Sequence, residues 1–279
     1  LYYSKTIRKH ETITFRSYFN QGQWLPINSL EDVSTWLTDA NMRFTSHADY
    51  ASRSLEEILG DFLHEFEHLE IDTLETVLLL NLPDGIKKVA LNPAAQWAPC
   101  FGPTVADFNN DGHEDVFLSQ NLDTGNHKWG RMDAGHGLLL LGDGEGNLNA
   151  IPSTASGIRL KNEQRGTASA DFNQDGKMDL AVLERGKGAH LFVNQTEHTG
   201  VTVSLKGSSA NPHCIGARLQ KINLQTGNVY GPSKEIQSGS GYRSLNSLKH
   251  VFAHPGKAFQ IQVTWPNGKI SRHSIPSGI

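Results

Sequence analysis

The chain has 279 residues, enough for one large β domain or two to three smaller units. Hydrophobic residues at 37% and charged residues at 19% describe a soluble globular protein, and no apolar run approaches the roughly 18 residues of a bilayer-spanning helix. A net charge of −4 without a basic stripe argues against nucleic acid as the main partner.

The sequence opens at Leu1, with neither an initiator Met nor the charged-then-apolar pattern of a signal peptide, which fits an internal start. Two cysteines, Cys100 and Cys214, are too few for a disulfide framework; both sit beside apolar residues and read as buried thiols. Residues 1–46 say least. There "TITFRSYF" predicts a strand, and "SLEDVSTWL" a short helix opened by a Ser cap.

Over residues 47–69 the pattern sharpens. Leu55, Ile58, Leu59, Phe62, Leu63, Phe66 and Leu69 recur at helical spacing, predicting one amphipathic helix. On it lies "HEFEH" (64–68), which fits the zinc-peptidase pattern H-E-x-x-H. Such a site needs two imidazoles one turn apart, a Glu to activate water and a third protein ligand. The metzincin extension would place Gly and His where this chain has Ile71 and Leu74. At about 100° per residue His64 and His68 point away from the apolar stripe, toward Glu57 and Asp61. The expected role is a surface helix preceding the β region, with Phe66 packed against the sheet.

From about residue 77 the chain reads as β-rich. Asp-Gly or Asn-Gly steps at 84–85, 111–112, 143–144, 175–176 and 267–268 flank short runs of Leu, Val, Ile or Phe, the pattern of repeated tight turns. Two segments repeat: "ADFNNDGHEDVFL" from Ala106 and "ADFNQDGKMDLAV" from Ala170. More weakly, "LLLNLPDG" (78–85) resembles "LLLLGDGEG" (138–146) and "HLFVNQ" (190–195). A unit of about 60 residues with several short strands suits a propeller blade better than a solenoid turn.

Each repeat carries D-x-N-x-D-G-x-x-D, comprising Asp107, Asn109, Asp111, Gly112 and Asp115, then Asp171, Asn173, Asp175, Gly176 and Asp179. Three carboxylates and a side-chain amide within nine residues are oxygen donors for a hard cation, and the carbonyls of His113 and Lys177 would complete the set. An EF-hand would require a Glu where Leu118 and Val182 stand, and helices on both sides. The flanks here are strand-like, so a β-hairpin calcium loop is expected, with Asp115 and Asp179 as closing carboxylates.

Beyond the repeats, "RMDAGHG" (131–137) could line a surface pocket around Asp133 and His136, and Asn194-Gln195-Thr196 is a glycosylation sequon. Toward the end, Val201, Val203 and Leu205, then Phe259, Ile261, Val263 and Trp265, alternate as one face of a sheet does, and "WPNGKI" predicts a hairpin turn.

"FGPTVADFNNDGHEDVFL" resembles the FG-GAP (VCBS) repeat of calcium-binding propellers. "NPHCIGARLQ" (211–220), "EIQSGSGYRSLNS" (235–247) and "VTWPNGK" (263–269) resemble elements of the ASPIC/UnbV domain. The combination, over Leu74 to Ile279, is similar to the cartilage-acidic-protein-like family, and "YASRSLEEILGDF" resembles a region preceding the repeats in bacterial members. The resemblance implies a mainly β chain: a partly helical segment (1–75), FG-GAP propeller blades (76–197) and a β-sandwich-like ASPIC/UnbV module (198–279). It also implies a secreted, periplasmic or cell-surface protein that binds calcium through Asp107, Asn109, Asp111, Asp115, Asp171, Asn173, Asp175 and Asp179. The implied partner is a protein or carbohydrate ligand in recognition or adhesion, without membrane insertion. Closed propellers of this kind have about seven blades, and two full loops stand here. A C-terminal part of a longer protein is therefore expected over an open packing with covered edges. The alternative reading is an enzyme: a zinc hydrolase using "HEFEH", or a propeller-borne activity around Asp133 and His136.

Overall fold

The computed structural model describes residues 2–8, 11–123, 130–254 and 256–278. Strand accounts for 39% of the chain and helix for 13%, so the fold is mainly β. Two compact units are present, Leu1–Leu74 and Glu75–Ile279. No helix among the described residues is long and apolar enough to cross a membrane.

In the first unit, "TITFRSYF" forms two strands, Glu11–Phe15 and Ser17–Asn20, rather than one. Ser29 caps the helix Leu30–Ser34, its hydroxyl accepting from the Asp32 amide while the Asp32 carboxylate accepts from the Ser29 amide. The single helix expected over 47–69 does not form. Its place is taken by helices His47–Ala51 and Leu55–Leu59, a 3-10 turn Gly60–Glu65 and a short strand Glu67–His68. Ser54 opens a new helix with a capping box to Glu57, and Gly60 closes it at φ +53°, so the helical path breaks twice. Leu55, Ile58 and Leu59 are fully buried as the spacing predicts, whereas Phe62 and Leu69 are exposed. Among the described residues Phe66, expected against the sheet, packs locally. It is buried in this unit's own core with Phe15, Val33 and Tyr50, and its ring lies 6.0 Å from that of Trp36.

The second unit is a series of antiparallel sheets. The hairpin Val77–Leu82/Gly85–Ala90 comes first. A four-stranded sheet follows, built from Cys100–Ala106, Asp115–Gln120, Leu138–Gly142 and Leu148–Ile151 in sequential order. The second repeat gives a three-stranded sheet of Gln164–Ala170, Asp179–Glu184 and Gly188–Phe192. Then Gly200–Val203 pairs with His250–Ala253, and a last sheet runs Val229–Glu235, Arg218–Ile222, Phe259–Thr264, Ile270–Ile275. All five Asp/Asn-Gly glycines have positive φ, from +75° at Gly144 to +128° at Gly85, as the tight turns require. Trp265 accepts from and donates to the turn before Ile270, closing the hairpin read from "WPNGKI".

The repeat sheets share a core of Phe108, Phe117, Ile158, Leu160, Met178, Leu180 and Val182, to which Val251 from the last region also belongs. The alternating Phe259, Ile261 and Val263 are buried with Leu219 and Phe252 in a second core, and Trp265 packs against its edge. Cys214 is buried there, Cys100 is half-buried, and neither is in a disulfide. Burial pushes the Cys100 thiol up to about 11, so it stays protonated at neutral pH.

Hydrogen bonds align the two repeat sheets. The Thr104 and Thr167 hydroxyls bond to one another, and Thr167 donates to the Gly102 carbonyl at 3.1 Å. Only glycine fits at 102, because a Cβ there would meet the Arg165 carbonyl at 2.6 Å. Phe117 is fully buried in this core, while Val105 on the adjacent strand is half exposed. Phe117→Ala is therefore expected to cost about 3–5 kcal/mol in urea unfolding. Val105→Ala should cost less than about 1 kcal/mol, and equal losses would contradict this core.

Candidate metal-binding loops

Each acidic loop is a turn between the first two strands of its repeat sheet, so the sheet fixes both of its ends. The fourth and sixth positions of both are left-handed: Asn110 at φ +56° and Gly112 at +96°, then Gln174 at +61° and Gly176 at +78°. Gly and Asn reach this region at low cost, which is why the turn is so tight.

The two loops share one hydrogen-bond scheme. Asp107 accepts from the amides of Asp111 (3.1 Å) and Gly112 (2.9 Å), as Asp171 does from Asp175 (3.0 Å) and Gly176 (3.2 Å). The Asn109 side chain donates to Asp111 at 2.8 Å, and Asn173 to Asp175 at 3.0 Å. The His113 amide donates to Asp111 and the Lys177 amide to Asp175, at 2.8 and 3.0 Å. Finally, Asp115 accepts from Phe108 (2.8 Å) and Gly142 (2.9 Å), and Asp179 from Phe172 (2.9 Å) and Asn194 (2.8 Å). The ninth-position carboxylates thus staple the start of each loop to the third strand of the first sheet and to the segment after the third strand of the second.

As they stand, these carboxylates cap backbone amides. Among the described residues no three His, Cys, Asp or Glu side chains close on one point. In the first loop, two of these carboxylates, Asp107 and Asp115, are buried. Burial pushes Asp115 up to about 6 against the pull of its two amides, with Asp107 and Asp111 adding repulsion. Burial also raises Asp107, partly offset by the Gly112 amide and by Lys234. Lys234 pairs with Glu114 at 3.0 Å.

Several contacts of these loops were not legible beforehand. The Asn110 side chain crosses from the first loop to the Gly176 carbonyl of the second (3.1 Å) and to that of His198 (3.0 Å). Thr202 donates to Asp171 at 2.7 Å. Asn110 fills a left-handed position where Asn is favoured, and Thr202 is an outward position of the alternating 201–205 strand; those are the only signals the sequence holds.

The other sequence candidates fall elsewhere. His64, Glu65 and His68 are exposed and lie on a 3-10 turn and a strand, so the one-turn spacing of a zinc helix is not formed. His68 packs edge-on to Trp24. Asp133 is exposed in an ion pair with Arg131 at 2.9 Å. His136 lines a cavity of about 330 Å³ with Trp97 and Pro152; Asp133 does not reach it. The sequon nitrogen of Asn194 is committed to the carbonyls of Phe108 (2.6 Å) and Met178 (2.9 Å), where it ties the repeats together instead of offering itself for glycosylation.

A family model described as FG-GAP-like repeat matches residues 107–182, the span that holds both loops. The chain is also similar to cartilage acidic protein 1 of Homo sapiens, at 27% identity over 178 residues. That alignment covers 62% of this chain and 26% of the human protein, so the chain spans about a quarter of that relative.

Close to the first loop, His250 lies beside the Lys234–Glu114 pair, and its Nε2 is buried without a hydrogen-bond partner among the described residues. Burial, with Lys234 nearby, pushes its pKa from 6.5 down to about 4. Between those values the unfolded chain takes up a proton that the folded chain refuses, so the contribution of His250 to stability falls as pH drops from 6.5 toward 4, opposite in sign to that of Asp115 below about 6. His250→Gln should remove that contribution from the profile in thermal melts run with chelator; an unchanged slope would contradict the burial of a neutral imidazole.

Proposed function

We propose that this chain is a non-enzymatic, calcium-binding recognition or adhesion protein of the propeller type. In this reading residues 76–197 supply blades, residues 198–279 an ASPIC/UnbV-type β module and residues 1–75 a leading segment. It works outside the cell, at the surface or in the periplasm, on a protein or carbohydrate ligand. The single observation that carries the reading is the duplicated loop scheme, in which every side-chain-to-amide contact of the first loop recurs in the second. The FG-GAP-like match over the same residues supports it.

The donor set fits a hard cation. Asp107, Asn109, Asp111 and Asp115, with the His113 carbonyl, would hold one calcium ion. Asp171, Asn173, Asp175 and Asp179, with the Lys177 carbonyl, would hold another. All the donors are oxygen, and the carboxylates at Asp107 and Asp115 resist ionisation because no water shell compensates them. Calcium, when bound, supplies the missing positive charge and cross-links each turn. The chain's own contribution is to pre-form that turn with left-handed residues and amide caps, so little ordering remains for the binding step. A rigid loop edge would then present neighbouring side chains to a ligand in fixed geometry.

Chelation should lower the melting temperature by several degrees, since a ligand held only by the folded state stabilises it by mass action. Asp111→Ala combined with Asp175→Ala should reproduce the shift and abolish the response to added calcium. Identical transitions with and without chelator would overturn the calcium assignment.

A further inference from the structure

The two loops match internally but differ in what the terminal β module brings against them. Lys221, on the strand Arg218–Ile222, is 5% exposed, and its ammonium packs on the first loop. A Cβ placed on Gly112 would lie 3.4 Å from that nitrogen, and one on Gly231 would lie 3.3 Å from Lys221 Cε and 3.6 Å from the Gly112 carbonyl. Two glycines thus clear the path along which the ammonium reaches the loop. Tyr230 holds the cation over its ring at 5.0 Å, and among the described residues Lys221 makes no ion pair or hydrogen bond through its ammonium. Burial holds the Lys221 ammonium below the usual lysine range and Lys234 adds repulsion, while the neighbouring Asp107 and Asp111 carboxylates pull the other way and favour its charged form.

Among the described residues no buried ammonium packs on the second loop in this way. Gly176 packs directly on Gly200, whose amide donates to the Gly176 carbonyl at 2.7 Å. From the terminal module Asp171 accepts the neutral Thr202 hydroxyl at 2.7 Å. The ammonium of Lys177 donates to the Thr196 carbonyl. Phe172 and Gln174 are exposed where Phe108 and Asn110 are buried, and Asp171 is half-buried where Asp107 is buried, while Asp111 and Asp175 are both exposed.

We propose that the loops are unequal: Lys221 acts as a built-in counter-ion for the first, so calcium binds the second tightly and the first only in competition with that ammonium. This rests on the calcium reading above and assigns the regulation of its sites. Lys221 is a specificity-setting residue of the terminal module. It makes the first loop a charge-mediated seam between repeat and module, and leaves the second as the calcium-responsive element.

Calcium titration calorimetry on the whole chain tests it. The wild type should show a single high-affinity site that Asp175→Ala removes and Asp111→Ala leaves in place. Lys221→Met keeps the length of the side chain without its charge and should tighten the first loop at least ~10-fold, adding a second site. If Lys221→Met does not fold, the contrast between Asp111→Ala and Asp175→Ala decides alone. Two equivalent sites in the wild type, lost one each in the Asp variants, would overturn the inequality while leaving the calcium reading intact. Absence of any calcium heat from all chains would overturn both.

Discussion

Two buried carboxylates hold the repeat region together. Asp115 and Asp179 are both 0% exposed, and each spends one oxygen on the amide two residues into the loop scheme and the other on an amide beyond the second strand. A buried backbone amide without a partner costs on the order of 1–3 kcal/mol, so each side chain satisfies two such debts at once. The geometry of both turns follows from that clamp. It ties each loop to its own sheet, and the left-handed backbone at the fourth and sixth positions completes the tight turn.

The same clamp explains why the repeats do not stand apart. With the turn fixed, Asn110 projects across to the second loop, and Asn194, whose own amide Asp179 holds, reaches back to Phe108 in the first. Val251 inserts from the terminal region into the repeats' core, and the Ser169 amide donates to the Asn246 side chain at 3.0 Å. The terminal strands are therefore part of the environment of both loops. Differences between otherwise duplicate loops arise there, in Lys221 on one side and Thr202 on the other.

Much of this was legible in the sequence because the signals are local. An Asp-Gly step demands positive φ wherever it occurs, and the alternation from Phe259 to Trp265 reports a sheet face directly. The segment 47–69 misled for a physical reason: several short helices that wrap one core keep apolar residues at helical spacing even where Ser54 and Gly60 break the helix. "HEFEH" lost its meaning with that helix. Contacts set by tertiary approach left no comparable mark. Lys221 sits in a short strand whose register shifts between Leu219 and Lys221, and the packing of Gly112 and Gly231 against it shows where its charge goes.

The central claim is that the duplicated loops are oxygen sites for calcium and that the chain uses no nitrogen-ligated metal. Elemental analysis of the purified protein, dialysed against low free calcium, tests this most directly. The account predicts close to one calcium per chain and no stoichiometric zinc. One tightly held zinc lost on His68→Ala, or a protein that retains no calcium, would contradict it.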